Sequence, residues 1–407
     1  MIADSKQVVP DKPFFLYFAP GAMHSPHQVY ARMMEVFAGF LTHTDHCIGE
    51  LVQFLKDIGE YDNTLVLLVS DNGSSAEGGP TGSVNECRFF NNVPDTVEES
   101  LRVLDEIGGP QHFNHFPWGW AHAGNTPFRR WKRETYRGGA SDPLVVSWPK
   151  GIKARGEVRA QYAHIIDLVP TVLDALGLDP PATIRGVTQS PIEGVSFAHT
   201  FDDAYAPTLH RTQYFEMMGH RAIYHDGFRA VCPWPGASFK ESGRKFGAPI
   251  TEDMLTELDA TSWELYDVNA DFAETKDLSG KDKRRLIGMI ATWYAEAGKY
   301  NVLPIDSRGV QRVFDERFQV AAAPTRYVLY PGTQAIPAGA APKILNRPFS
   351  ITADVAIPEG GADGIRPDLS EAHLLLLDAT SRSAAHALNR AIRRPKSPSS
   401  PSSGSSG

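Results

Sequence analysis

The chain has 407 residues, with 40 Lys and Arg against 48 Asp and Glu and a formal net charge of −8. That length suits a large core plus a smaller domain, and the acidic balance gives no electrostatic footprint for nucleic acid or other polyanions as partners. Three cysteines, Cys47, Cys87 and Cys232, without C-x-x-C spacing, indicate neither a disulfide framework nor a cysteine zinc site.

The N-terminus, Met1-Ile-Ala-Asp-Ser-Lys-Gln7, has no apolar core of a secretory signal. No run approaches the ~18 apolar residues of a membrane span. The sequence reads as beginning partway through a fold, so the compartment stays open, cytoplasmic by default.

The first predicted strand is Lys12-Pro-Phe-Phe-Leu-Tyr-Phe-Ala-Pro20, followed by the polar groups His24-Ser-Pro-His27. Phe37, Leu41, Ile48, Leu51, Val52 and Leu55 then recur at helical spacing, predicting one long amphipathic helix that ends near Gly59. Within it, His43 and His46 share a face and could bind a metal, although no third ligand has matching spacing. Next comes Thr64-Leu-Val-Leu-Leu-Val-Ser-Asp71-Asn72-Gly73. Five consecutive apolar residues predict a strand buried on both faces, as in a parallel sheet covered by helices. Ligands collect beyond the carboxyl ends of such strands, where Asp71 and Asn72 emerge; the competing reading is an Asn-Gly hairpin turn.

From Ser74 to Trp131 the sequence is rich in Gly, Asn, Pro and aromatic residues with little periodicity, as in a long loop lining a pocket. Pro143-Leu-Val-Val-Ser-Trp-Pro149 is a third strand, followed by a helix from about Asp167 to Leu176 stopped by Gly177. Short strands follow at Gln213–Glu216, Arg221–Tyr224 and Phe228–Val231, then a packing helix, Lys281 to Tyr300. The stretch from Thr325 to Ile357 resembles an incomplete β-sandwich, and the end of the chain is low-complexity, expected to be disordered.

Three motifs in order, His24-x-Pro-His27, Ser70-Asp-Asn-Gly73 and Lys132-x-x-Thr-Tyr-x-Gly-Gly139 before Pro143-Leu-Val-Val-x-Trp-Pro149, together resemble the sulfatases, a branch of the alkaline-phosphatase superfamily. The similarity is greatest to large bacterial arylsulfatases and runs from about residue 12 to 280, where Trp263-Glu-Leu-Tyr-Asp267 matches a closing element. It implies an α/β fold, a mostly parallel mixed sheet sandwiched by helices, with a small C-terminal antiparallel sheet. The expected divisions are 1–205 for a partial core, 206–311 for the antiparallel subdomain, 312–360 for the sandwich-like appendage and 361–407 for the tail.

The resemblance also assigns roles. Asp71 and Asn72 would be half of a four-residue metal set; two hard oxygen donors suit Ca²⁺, or Mg²⁺, better than a soft-ligand metal. His24 would contact the sulfate and donate a proton to the leaving alcohol. Lys132 would bind the sulfate, although among Arg129, Arg130 and Arg133 it also reads as part of a solvated basic run. The substrate class is a small-molecule sulfate ester, cleaved to a phenol and sulfate. The family nucleophile is a formylglycine made from Cys or Ser in C/S-x-P/A-x-R, and none of the three cysteines fits that pattern, so it is not encoded here. Two readings follow: an arylsulfatase-type enzyme incomplete as this chain, or an inactive remnant with a binding role.

Overall fold

The computed structural model describes residues 2–20, 24, 36–90, 93, 95–234, 251–306, 326–328, 350, 363–367 and 374–378. The chain divides into two units, Met1–Gln319 and Val320–Gly407. The first is mixed α/β. After helix α1 (Ile2–Val8), residues 13–20 run without a ladder partner among the described residues. Phe15, Tyr17 and Phe18 there are 83, 81 and 66% exposed, so the expected first strand does not form. An apolar run becomes a strand only where a sheet edge accepts its backbone groups.

Helix α2 (Val36–Asp57) matches the periodic stretch, and Gly59 beyond it takes the left-handed conformation (φ 74°). Strand β1 (Val66–Val69) follows and pairs with β2 (Leu144–Ser147). Here the expected parallel sheet is corrected. The pair is antiparallel, and Leu68 and Val69 remain 44 and 38% exposed rather than buried on both faces. Continuous apolarity signals a demand for burial and carries no information on the direction of the neighbouring strand. Every named ladder among the described residues is antiparallel.

Between β1 and β2 lie the short helices α3 (Cys87–Phe90), α4 (Val97–Arg102), α5 (Trp118–Asn125) and α6 (Arg137–Ala140). Helix α4 opens on a capping box, in which Thr96 and Glu99 satisfy each other's backbone N–H groups. Helix α7 (Leu168–Leu176) ends at Gly177, whose left-handed φ of 65° lets its N–H close on the Asp174 carbonyl at 3.0 Å. A minimal hairpin, β3 (Thr183–Ile184) with β4 (Val187–Thr188), follows.

The best-packed part is a four-stranded antiparallel sheet in the order β5 (Thr212–Met217), β6 (His220–His225), β7 (Phe228–Cys232), β8 (Glu264–Asp267). Both inner hairpins turn through two residues of positive φ, Met218-Gly219 and Asp226-Gly227, the twist that tight hairpins favour. Helix α8 (Glu252–Thr261) precedes β8, and helix α9 (Lys283–Lys299) covers one face of the sheet. Ile223, Ala230, Cys232, Leu265, Met289, Trp293 and Ala297 are buried together there. Alternate residues point to the opposite face, where Ala222, Val231 and Tyr266 pack against Tyr136. The sheet thus presents one face to its own helix and the other to the segment that carries Lys132.

In the second unit, β9 (Asp363–Pro367) and β10 (Leu374–Asp378) form an antiparallel ladder. These residues fall within 361–407, the tail expected from its composition to be disordered. Leu374-Leu-Leu-Leu377 is apolar enough to form a strand despite its low-complexity surroundings. Most of the sandwich-like stretch, and His27, lie outside the described residues.

Candidate active site

The loop after β1 and the segment 125–139 are built against each other. Asn125, buried at the end of α5, accepts from Ser74 N through Oδ1 at 2.8 Å and donates Nδ2 to the Arg130 carbonyl at 2.9 Å. Lys132 N donates to the Ser74 carbonyl at 3.0 Å. The glycines of both motifs make this approach possible: a Cβ on Gly73 would lie 1.8 Å from the Gly138 carbonyl oxygen, and one on Gly138 2.2 Å from that of Arg130.

The other side of the segment is clamped by the four-stranded sheet. Arg229, buried on β7, donates to the Thr135 carbonyl at 2.5 Å and pairs with Glu274, whose other oxygen accepts from Arg137 N at 3.0 Å. Thr135 Oγ1 donates to the Arg221 carbonyl at 3.0 Å, and Tyr136 OH donates to Glu264 Oε2 at 2.9 Å. Burial and the Glu264 carboxylate push the Tyr136 phenol far above its ordinary value, so it remains a donor. Arg129 also reaches Glu264, at 2.5 Å. The basic run is therefore not merely solvated: Arg133 is nearly buried and reaches Glu77 at 3.3 Å.

Lys132, held at its backbone in this way, brings Nζ to 3.4 Å from Nε2 of His24, which is exposed. Two residues 108 positions apart are thus brought together, with the ammonium donating and the imidazole nitrogen accepting. Asp71 and Asn72 stand at the end of β1, Asp71 exposed and Asn72 half-buried. Near Asp71, burial and the Asp71 charge push the Asp142 carboxyl up to about 7.

His43 and His46 do not form a site on α2: His43 faces Cys47 at 3.8 Å and His46 faces Glu50 at 3.6 Å, on an exposed surface. None of the cysteines resembles an activated nucleophile. Cys47 and Cys87 are exposed surface thiols, and burial pushes the Cys232 thiol up to about 11.

Sequence reasoning missed Asn125, which ties the Lys132 segment to Ser74, and Arg229 and Glu274, which position it from distant parts of the chain. It also missed a buried group, Glu77, Glu86 and His115, whose ligand-capable atoms all lie within 4.8 Å of one another. A cleft of about 240 Å³ borders His115 and is lined by Phe37, Thr81, Ser83, Asn114 and Trp120.

Residues 1–178 match the sulfatase family model. The chain is 27% identical over 270 residues to an uncharacterized sulfatase of Schizosaccharomyces pombe, covering 65% of this chain and 43% of that protein. It is 26% identical over 190 residues to the arylsulfatase of Klebsiella aerogenes, covering 46% of this chain and 38% of the enzyme. The human N-acetylgalactosamine-6-sulfatase is 29% identical over 177 residues, covering 42% of this chain and 26% of its own length. The crystal structure of Ps i-CgsB superposes with a TM-score of 0.49 at 20% identity, covering 78% of this chain and 59% of that one. The chain thus spans less than half the length of these three curated relatives.

Proposed function

From the match of residues 1–178 to the sulfatase family model we propose that the chain is a sulfatase and supplies the sulfate-holding part of an arylsulfatase-type sulfuric ester hydrolase. The reaction splits an aryl sulfate ester and water into a phenol and sulfate. The observation that carries the reading is the approach of Lys132 Nζ to His24 Nε2 at 3.4 Å, with the Lys132 backbone bonded to Ser74 shortly after Asp71 and Asn72. A sulfate oxygen at this pair meets a compact positive charge on one side and an imidazole on the other. Lys132 offsets the anionic charge of the sulfate, and His24, once protonated as its Nε2 exchanges Lys132 for the substrate, delivers that proton to the leaving phenolate oxygen as the S–O bond breaks.

Asp71 and Asn72 are proposed as oxygen ligands of a divalent cation of the Ca²⁺ or Mg²⁺ class, a fit supported by two hard oxygen donors side by side beyond the end of β1. Such an ion, when bound, polarises the sulfate oxygens. The segment 129–139, fixed on both sides, holds Lys132 in place without reorganisation when substrate enters.

A second reading is favoured by the cysteines: a chain that binds a sulfate ester without turning it over, since none of the three thiols has the environment or flanking sequence of the family nucleophile. Hydrolysis of a nitrophenyl sulfate by the purified full chain with Ca²⁺, beside Lys132→Ala, tests both. Turnover abolished by the substitution supports the enzyme reading. Calorimetric sulfate binding lost in Lys132→Ala, without turnover in the wild type, supports the binding reading. Sulfate binding and turnover that are absent in both proteins, or equal in both, refute the assignment of Lys132.

A further inference from the structure

The buried group beneath the Lys132 segment has the chemistry of a cation site separate from Asp71 and Asn72. Glu77, Glu86 and His115 are 5, 7 and 4% exposed. Two short bridges fix the backbones of Glu86 and His115: Ser83 and His115 exchange N–H to carbonyl bonds at 2.9 and 2.8 Å, and Glu86 N donates to Phe113 O at 2.9 Å. His115 Nδ1 lies 3.1 Å from the Phe116 carbonyl, and a carbonyl only accepts, so the ring proton sits on Nδ1. That tautomer turns the Nε2 lone pair toward Glu86 Oε2 at 3.9 Å.

Glu86 Oε2 is buried and has no hydrogen-bond partner. A lone pair facing a buried, unsatisfied carboxylate oxygen is unfavourable unless a proton or a cation lies between them. Glu77 is partly neutralised by Arg133 at 3.3 Å and by the Ser75 hydroxyl, and the Lys132 charge also acts on His115. Counting Glu77, Glu86 and Arg133, the pocket carries one net negative charge, which a divalent ion would convert to one positive.

We propose that Glu77, Glu86 and His115 bind a divalent transition metal, Zn²⁺ or Mn²⁺ in class, that pins the long loop after β1 beneath Lys132. Two carboxylates and one imidazole are a borderline N/O donor set of the kind these ions accept. The Nδ1–H bond to a backbone carbonyl is the arrangement that orients metal-bound histidines. Tetrahedral donors with bonds of about 2.0–2.2 Å lie about 3.3–3.6 Å apart, so the separations within this triangle, all inside 4.8 Å, contract by no more than about 1.5 Å on binding. The ion fixes the loop and takes no part in sulfate-ester cleavage, so the inference stands whichever reading of the activity holds.

The test uses the full chain, stripped with chelator and reloaded with Zn²⁺, beside Glu86→Gln, with metal content by mass spectrometry and the thermal midpoint as readouts. The wild type is expected to retain about one zinc more per chain than Glu86→Gln, and only the wild-type midpoint to rise on loading. Equal zinc in both proteins means adventitious binding only, for example at His43 and His46, and overturns the proposal, as does a wild type that retains none. If Glu86→Gln does not fold, Co²⁺ loading of the wild type decides. A visible absorption band displaced by stoichiometric Zn²⁺ supports the site, and the absence of such a band refutes it.

Discussion

Removal of Glu274 tests how the Lys132 segment is held. Its side chain is fully buried, pairs with the buried Arg229 guanidinium and accepts from Arg137 N at 3.0 Å; Arg229 in turn donates to the Thr135 carbonyl at 2.5 Å. Glu274→Ala therefore leaves a buried guanidinium without its counter-charge and a backbone N–H without its acceptor. Breaking a buried pair from one side costs about 3–5 kcal/mol, and an orphaned N–H adds about 1–3 kcal/mol where water cannot enter. A loss near 4 kcal/mol is expected, followed in urea by the fluorescence of Trp263 and Trp293, which lie buried beside this sheet. The double variant Arg229→Met, Glu274→Leu removes both charges and keeps much of the volume, so it is expected to be more stable than Glu274→Ala. A cost below about 1 kcal/mol for Glu274→Ala, or a double variant no better than the single, would refute the clamp.

Three further outcomes are expected. Gly73→Ala drives a Cβ to 1.8 Å from the Gly138 carbonyl oxygen, so it should cost at least about 1–3 kcal/mol and weaken sulfate binding; unchanged stability and binding would sink the close-approach argument. Met218, with φ 52° before Gly219, occupies a turn position that favours asparagine, and Met218→Asn should raise stability by about 1 kcal/mol in chemical denaturation. Burial raises the Glu134 carboxyl from its ordinary 4.5 to about 7, so between those pH values the folded state holds a proton that the unfolded state has lost. Its contribution to stability therefore falls as pH rises through that window, by about 3 kcal/mol in all. Glu134→Gln should remove this slope, and wild-type and variant stabilities that keep a constant difference from pH 4.5 to 8 would contradict it.

What was legible in the sequence was local. Helix α2 announced itself through the spacing of Phe37, Ile48 and Leu55, helix α7 through Gly177, and strands β5 to β7 through short apolar runs between turn residues. His24, Asp71, Asn72 and Lys132 were found as motif positions, and of these the structure brings His24 into direct contact with Lys132. The run at 13–20 failed as a strand because pairing is decided by a neighbour, which composition does not record. Asn125, Arg229 and Glu274 were invisible for a related reason. An Asn at the end of a short helix, an Arg on a strand and a Glu in the loop after β8 have no periodicity that points to a partner 51 to 137 residues away.

Those hidden contacts explain a feature of the Lys132 segment that its motif does not. Arg130 and Arg133 both adopt left-handed backbone, at φ 68° and 78°, on either side of Lys132. Each such residue costs on the order of 1 kcal/mol or more and persists only where its surroundings over-determine it. Here the restraints come from three directions: Asn125 grips the Arg130 carbonyl, Ser74 accepts from Lys132 N, and Arg133 is drawn to Glu77. The four-stranded sheet then holds Thr135 to Arg137 through Arg221 and Arg229, with Glu274 from the loop after β8. Loss of one restraint should therefore reduce stability before it moves the lysine. Loss of two on the same side should release the turn, separate Lys132 from His24 and abolish sulfate binding while the small sheet stays folded.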